Sequence, residues 1–199
     1  AEFNTADDEG ACCFSLDGKT IYFTRCRSVK GSSLGAEIYK SVRSGAQWAS
    51  PEKIVLFNDS SISVAHPALS PDGKYLYFVS DNDNGFGGKD IWRSEIMSDG
   101  SYSMPENLGE SINTAADEMF PSFDVKGHLY FSSNGHAGFG GLDIFKAVQD
   151  SLSDWRISNM GIPINSNADD FAITFDSEQE CGFFSSNRKQ SKGYDKIWS

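Results

Sequence analysis

Asp90, Asp143 and Asp195 sit before a strand at matching positions: Asp90-Ile91-Trp92, Asp143-Ile144-Phe145 and Asp195-Lys196-Ile197-Trp198. A ring of carboxylates at one level of a fold can hold a cation or supply an acid and a base. A recurring Asp at the mouth of a strand has a plainer use, accepting loop N–H groups and fixing a turn. The regular recurrence favours that second use. The run Asp81-Asn82-Asp83-Asn84-Gly85 hints at a calcium loop, but lacks EF-hand spacing and a downstream Glu at the right position. No metal or cofactor is expected. His66, His128 and His136 fall at different places in their units and form no metal-binding spacing. His66 reads as a packed strand residue; His136, inside a glycine loop, is the histidine to test.

The glycine loops offer binding rather than chemistry. Gly85-Phe86-Gly87-Gly88 and Gly138-Phe139-Gly140-Gly141 recur in step. Exposed Phe side chains on adjacent units would grip a partner; alternatively each Phe tucks under its loop while the glycines permit an unusual backbone path. These loops lead into strands, not helix N-termini, so they do not cradle phosphate. The candidate ligand-binding residues are Phe86, Asn134, His136 and Phe139, with no catalytic residue assigned. No Gly-x-Ser-x-Gly elbow is present. Ser15-Leu16-Asp17-Gly18 and Ser70-Pro71-Asp72-Gly73 place Asp and Gly together, whereas a sialidase Asp-box separates them by one residue.

The elements that must position these residues repeat. Ile21-Tyr22-Phe23, Leu76-Tyr77-Phe78, Leu129-Tyr130-Phe131 and Gly182-Phe183-Phe184 end at positions stepping by 55, 53 and 53. Further markers keep the period: Glu37-Ile38-Tyr39 with its three counterparts above, the aromatics Trp48, Tyr102 and Trp155, and acidic leaders Asp7-Asp8-Glu9, Asp117-Glu118 and Asp169-Asp170. The second unit carries Val64-Ala65-His66 where the acid belongs. In that unit a strand ends near Leu69, Pro71-Asp72-Gly73-Lys74 makes a tight turn, Tyr75–Ser80 forms a second strand, a third lies around Asp90–Arg93, and a fourth starts at Tyr102. Four-stranded units of this period, without helical periodicity, predict an all-β β-propeller of antiparallel blades. The units run about 1–48, 49–102, 103–155 and 156–199 within a single domain. The last stops after its third strand and Ala1 is not an initiator Met, so the chain reads as a processed or cloned piece, an arc of a larger propeller.

Leu69-Ser-Pro-Asp-Gly-Lys-Tyr-Leu-Tyr-Phe78 resembles the TolB-type WD40-like (PD40) repeat, as do Ser80-Asp-Asn-Asp-Asn-Gly-Phe-Gly-Gly-Lys-Asp-Ile-Trp92 and Phe131-Ser-Ser-Asn-Gly-His-Ala-Gly-Phe-Gly-Gly-Leu-Asp-Ile-Phe145. The wording is similar to propellers of Bacteroidota envelope proteins of the OmpA family, such as PorE-like lipoproteins of the type IX secretion system. That resemblance implies a periplasmic, outer-membrane-associated place and a role in assembly or anchoring. Departures are Phe14-Ser-Leu-Asp-Gly-Lys19 without the proline, Asp124-Val-Lys-Gly127, and Asp176-Ser-Glu-Gln-Glu180 without a turn glycine. The outer two units also lack the Gly-Phe-Gly-Gly loop.

A net charge of -11 argues against nucleic acid and anionic membrane surfaces as partners. No apolar run approaches the roughly 18 residues of a membrane helix, so no direct membrane insertion by this segment is expected. The expected role is a non-catalytic recognition module with a protein or cell-wall partner, not an enzyme. The rivals are a glycan- or peptide-processing enzyme with channel carboxylates about 5 to 10 Å apart, and a regulatory propeller beside a protease domain. Pairing Ser15 with Thr20 sets Cys13 opposite Tyr22 and Cys12 opposite Phe23. Cys26 then lies roughly 10 Å from Cys12's partner, too far for a Cys12–Cys26 disulfide.

Overall fold

The computed structural model describes residues 3–29, 32–150, 154–176, 181–189 and 194–199. The chain is all-β, with four antiparallel sheets in the order of a four-blade propeller. Blade one holds β1 (Asp8–Phe14), β2 (Thr20–Val29), β3 (Ser32–Ser44), β4 (Gln47–Trp48) and β5 (Glu52–Lys53). Blade two holds β6 (Val64–Leu69), β7 (Tyr75–Ser80), β8 (Asp90–Glu95) and β9 (Glu106–Asn107). Blade three holds β10 (Glu118–Phe123), β11 (Leu129–Ser133), β12 (Asp143–Gln149) and β13 (Trp155–Asn159). Blade four holds β14 (Asp170–Phe175), β15 (Gly182–Ser186) and β16 (Lys196–Trp198). Strands of blade one pack on β6, those of blade two on β10, and those of blade three on β14. Among the described residues no comparable strand packing joins blade four to blade one.

The turns follow the expected chemistry. Gly73 takes φ of 70°, while Asp72 Oδ1 accepts from Ser70 Oγ and the Lys74 N–H. Gly18 and Asp17 repeat the arrangement between β1 and β2. The expected register holds: Cys12 faces Phe23 and Cys13 faces Tyr22, while Cys26 faces Asp8. All four cysteines are free thiols. The fourth strand of blade two is shorter than expected; Tyr102 makes only a bridge to Ile96, and the strand proper is Glu106–Asn107.

The joints between blades two and three and between blades three and four share one device. The third-strand Ile38, Ile91 and Ile144 point at the next blade and are fully buried. Asn113, on the segment entering blade three, accepts from the Ile91 N–H at 2.8 Å and donates Nδ2 to the Ile91 carbonyl at 2.9 Å. Asn165 does the same to Ile144 at 2.8 Å for both bonds. A side-chain amide thus stands in for a strand and satisfies two buried backbone groups that would otherwise be costly.

The glycine loops lie against the same entering segments. A Cβ at Gly87 would overlap the Thr114 and Ala116 carbonyls, and one at Gly140 the Ala168 carbonyl. Close backbone approach, rather than a left-handed conformation, therefore requires glycine here. Asp90 and Asp143 work as the plainer reading held: Asp143 Oδ2 accepts from the Phe139 N–H at 2.8 Å and the Gly140 N–H at 3.1 Å. Asp90 Oδ2 accepts from Phe86 N–H and from Asn107 Nδ2. Asp195 is exposed.

Candidate functional site

The first strands of the four blades converge on one cleft of about 850 Å³. Each first strand carries a β-bulge, and each bulge places one residue other than glycine at positive φ: Ala11 (29°), His66 (50°), Phe120 (54°) and Ala172 (57°). A left-handed conformation at such a residue costs of order 1–3 kcal/mol and clusters at functional sites. All four residues line the cleft.

The strain is held by hydrogen bonds between blades. The His66 N–H donates to Thr24 Oγ1 at 2.9 Å, and the Ala172 N–H to Ser132 Oγ at 3.3 Å. Between blades two and three the matching acceptor position is Val79, which has no oxygen to offer. There the Phe120 N–H donates to His66 Nδ1 at 3.4 Å, and the imidazole stacks on the Phe120 ring at 4.0 Å and 13°. Phe171 continues the shelf, 5.2 Å from Phe120. Burial, with Lys89 nearby, pushes His66 down to about 4. The ring is therefore neutral at physiological pH, with its proton on Nε2 and Nδ1 free to accept.

Asp17, Asp72 and Asp124 also line the cleft. The Ser15 hydroxyl and Lys19 N–H hold Asp17 below the usual carboxylate range, as the Ser70 hydroxyl and Lys74 do for Asp72. Burial opposes ionisation of Asp124, but the His128 backbone and ring outweigh it. His128 Nδ1 lies 2.6 Å from Asp124 Oδ2. None of the three is the raised-pKa general acid that a glycosidase pair requires. Burial pushes the Cys13 thiol up to about 12, so it is protonated and unreactive at neutral pH. Among the described residues no cluster of three or more His, Cys, Asp or Glu side chains could hold a metal.

The residues singled out in the sequence lie elsewhere, on the loops between second and third strands. Phe86 is 48% and Phe139 52% exposed, so neither tucks under its loop. Asn134 and His136 are engaged in the scaffold. Asn134 Oδ1 accepts from the Asp117 N–H at 2.9 Å, a bond repeated by Asn187 and Asp169. His136 Nε2 meets the Ile112 carbonyl at 2.8 Å, and its ring packs near Phe131 and Phe145. His66, read from sequence as merely packed, lines the cleft. A signal for this was present: His66-Pro67 and Phe120-Pro121 recur in step, and proline inside a strand pattern marks a bulge or an edge.

No protein-family model and no curated protein sequence matches the chain. A TolB from Agrobacterium tumefaciens is similar in structure, with TM-score 0.62 and 16% identity, over 98% of this chain and 58% of that one. A puromycin-hydrolysing peptidase of Mycobacterium tuberculosis gives TM-score 0.53 at 13% identity, over 97% of this chain and 29% of the peptidase. A prolyl endopeptidase gives 0.54 at 12%, over 95% of this chain and 24% of that one. The fold is thus the β-propeller found in TolB, and the chain spans well under two thirds of each of these proteins. The expectation that it is not an enzyme is overturned at the level of the fold, since two peptidases contain the same arrangement. Among the described residues no helix is long and apolar enough to cross a membrane.

Proposed function

We propose that the chain, acting as one propeller unit over residues 1–199, is a recognition module that takes a neutral or cationic segment of a protein or peptidoglycan-associated partner into its central cleft. The observation that carries this reading is the convergence of four left-handed bulges on one concave surface, with the stacked His66 and Phe120 rings lining it. Rigid blades hold such a surface preorganised, which lowers the ordering cost of binding. The ionised Asp17, Asp72 and Asp124 and the net charge of -11 favour a partner without excess negative charge. The TolB-type repeat wording and the structural likeness to TolB support a periplasmic, outer-membrane-associated setting, in the manner of OmpA-family and type IX secretion envelope proteins.

The test is co-sedimentation with peptidoglycan sacculi, together with cross-linked capture from native envelopes. Wild type is compared with a His66→Asn/Phe120→Ala cleft variant and a Phe86→Ala/Phe139→Ala loop variant, each checked for an intact melting transition. Loss of the partner in the cleft variant alone supports the reading. Loss in the loop variant alone moves the binding surface to the exposed phenylalanines, and equal recovery from all three sinks both.

A further inference from the structure

Blades two and three each have a neighbouring blade on either side, so the wall they give the cleft is framed within the described residues. At its bulges that wall carries the stacked His66 and Phe120 rings, each followed by a proline, Pro67 and Pro121. At its turn it carries the exposed Asp72. Asp72 Oδ1 is taken up by Ser70 and the Lys74 N–H, while Oδ2 lies 3.6 Å from Lys74 Nζ, beyond a hydrogen bond.

The chemistry of this wall narrows its guest. The His66 and Phe120 N–H groups are spent on Thr24 and on the His66 ring, and the prolines have none, so the bulges offer a peptide backbone no donor. The imidazole spends Nδ1 on that second bond, which leaves its proton on Nε2. Among the described residues no side chain or carbonyl accepts that proton. The ionised carboxylates and the net charge of -11 disfavour an anion. A sugar fits what remains. Its C–H faces lie well on the negative face of an aromatic ring, its oxygens accept from a ring N–H, and its hydroxyls donate to carboxylates. Four residues of extended strand separate His66 from Ser70, roughly 13 Å. A single sugar ring does not reach across that distance.

We propose that the cleft binds an uncharged linear oligosaccharide, one ring lying on the His66–Phe120 pair and accepting from His66 Nε2, a hydroxyl further along donating to Asp72. This deepens the recognition reading above and rests on the cleft being the binding surface. The sugar is bound and not cut. Cleavage of a glycosidic bond takes a protonated carboxyl group facing a second carboxylate, and Asp72 and Asp124 both lie below the usual carboxylate range.

The experiment is calorimetric titration of the chain with chitotetraose, maltotetraose and a galacturonic acid oligomer. Wild type is compared with Phe120→Asn, which tolerates the left-handed backbone, with Asp72→Asn at the exposed turn, and with Met104→Ala on the outer edge of blade two. Unchanged melting confirms that each variant folds. The expected result is saturable binding of at least one uncharged oligosaccharide, none of the acidic oligomer, and full-length sugar recovered after prolonged incubation. Phe120→Asn and Asp72→Asn should each weaken binding about tenfold, and Met104→Ala should leave it unchanged. Failure of both uncharged sugars to bind overturns the proposal, as does binding that either cleft variant leaves intact, a preference for the acidic oligomer, or shortening of the sugar. Envelope capture on the same preparations separates the two readings. A partner lost with the cleft variant while no sugar binds overturns the sugar alone, whereas neither partner nor sugar overturns the recognition reading as well.

Discussion

The segments entering blades two and three solve the same problem by different chemistry. Entry to blade three uses Asn113 to satisfy both backbone groups of Ile91 and the fully buried Glu118 to gather Thr114 and Ser133. Entry to blade two has neither. The Ile54 N–H donates to the Ile38 carbonyl at 3.0 Å, and Val64 stands where Glu118 does. The Ser80 hydroxyl, matching Ser133, is consequently buried without a partner. A polar joint of this kind ties blade to blade through directional bonds, whereas the apolar one rests on the packing of Ile54, Leu56 and Val64 against Leu76 and Phe78. The two joints therefore differ in which single change breaks them.

The largest effect is expected at Asn113. Asn113→Ala leaves the Ile91 N–H and carbonyl buried and unpaired, a loss of roughly 3 kcal/mol and a fall of roughly 6 to 12 °C in melting temperature. Asp59→Ala, at the exposed cap of the other entry segment, should leave the melting curve nearly unchanged; equal losses would erase the distinction between the joints.

Next comes pH. His66 is depressed from 6.5 to about 4, so the unfolded chain binds the proton first as pH falls. Stability present above pH 6.5 is lost between that value and about 4, by roughly 3 kcal/mol. His66→Asn, which tolerates the left-handed conformation, should flatten that slope in denaturant titrations at several pH values. An unchanged slope would place the acid sensitivity elsewhere. The smallest effects should have opposite signs. Ser133→Ala removes a donor from buried Glu118 and costs about 1–2 kcal/mol, while Ser80→Ala deletes an orphaned hydroxyl and is neutral or stabilising by up to about 1 kcal/mol. A destabilising Ser80→Ala would reveal an unseen partner for that hydroxyl.

The blade period, the turn chemistry at Asp72 and Gly73 and the pairing of Cys12 with Phe23 were legible because local rules act on neighbours: alternation, turn glycines and a two-residue register. The acidic leaders were visible as a repeat, but not their work, which depends on Thr114 and Ser133 arriving from different elements. The cleft was harder still. Its bulges turn on backbone angles that Ala11 and Ala172 do not advertise, and only the Pro after His66 and Phe120 pointed there. Asn134 and His136 drew attention because polar residues in a glycine loop look free; the neighbouring entry segment that occupies them is remote in sequence.

The bulges also decide what kind of molecule the cleft can read. Exposed sheet edges commonly recruit an extended peptide as an extra strand, bound through its main chain. Here the His66, Phe120 and Ala172 N–H groups are already given to the adjoining blade, and Pro67 and Pro121 have none. The bulges of blades two and three thus offer no free N–H to an added strand, so a guest lying against those two blades meets side chains and ring faces there rather than main-chain donors.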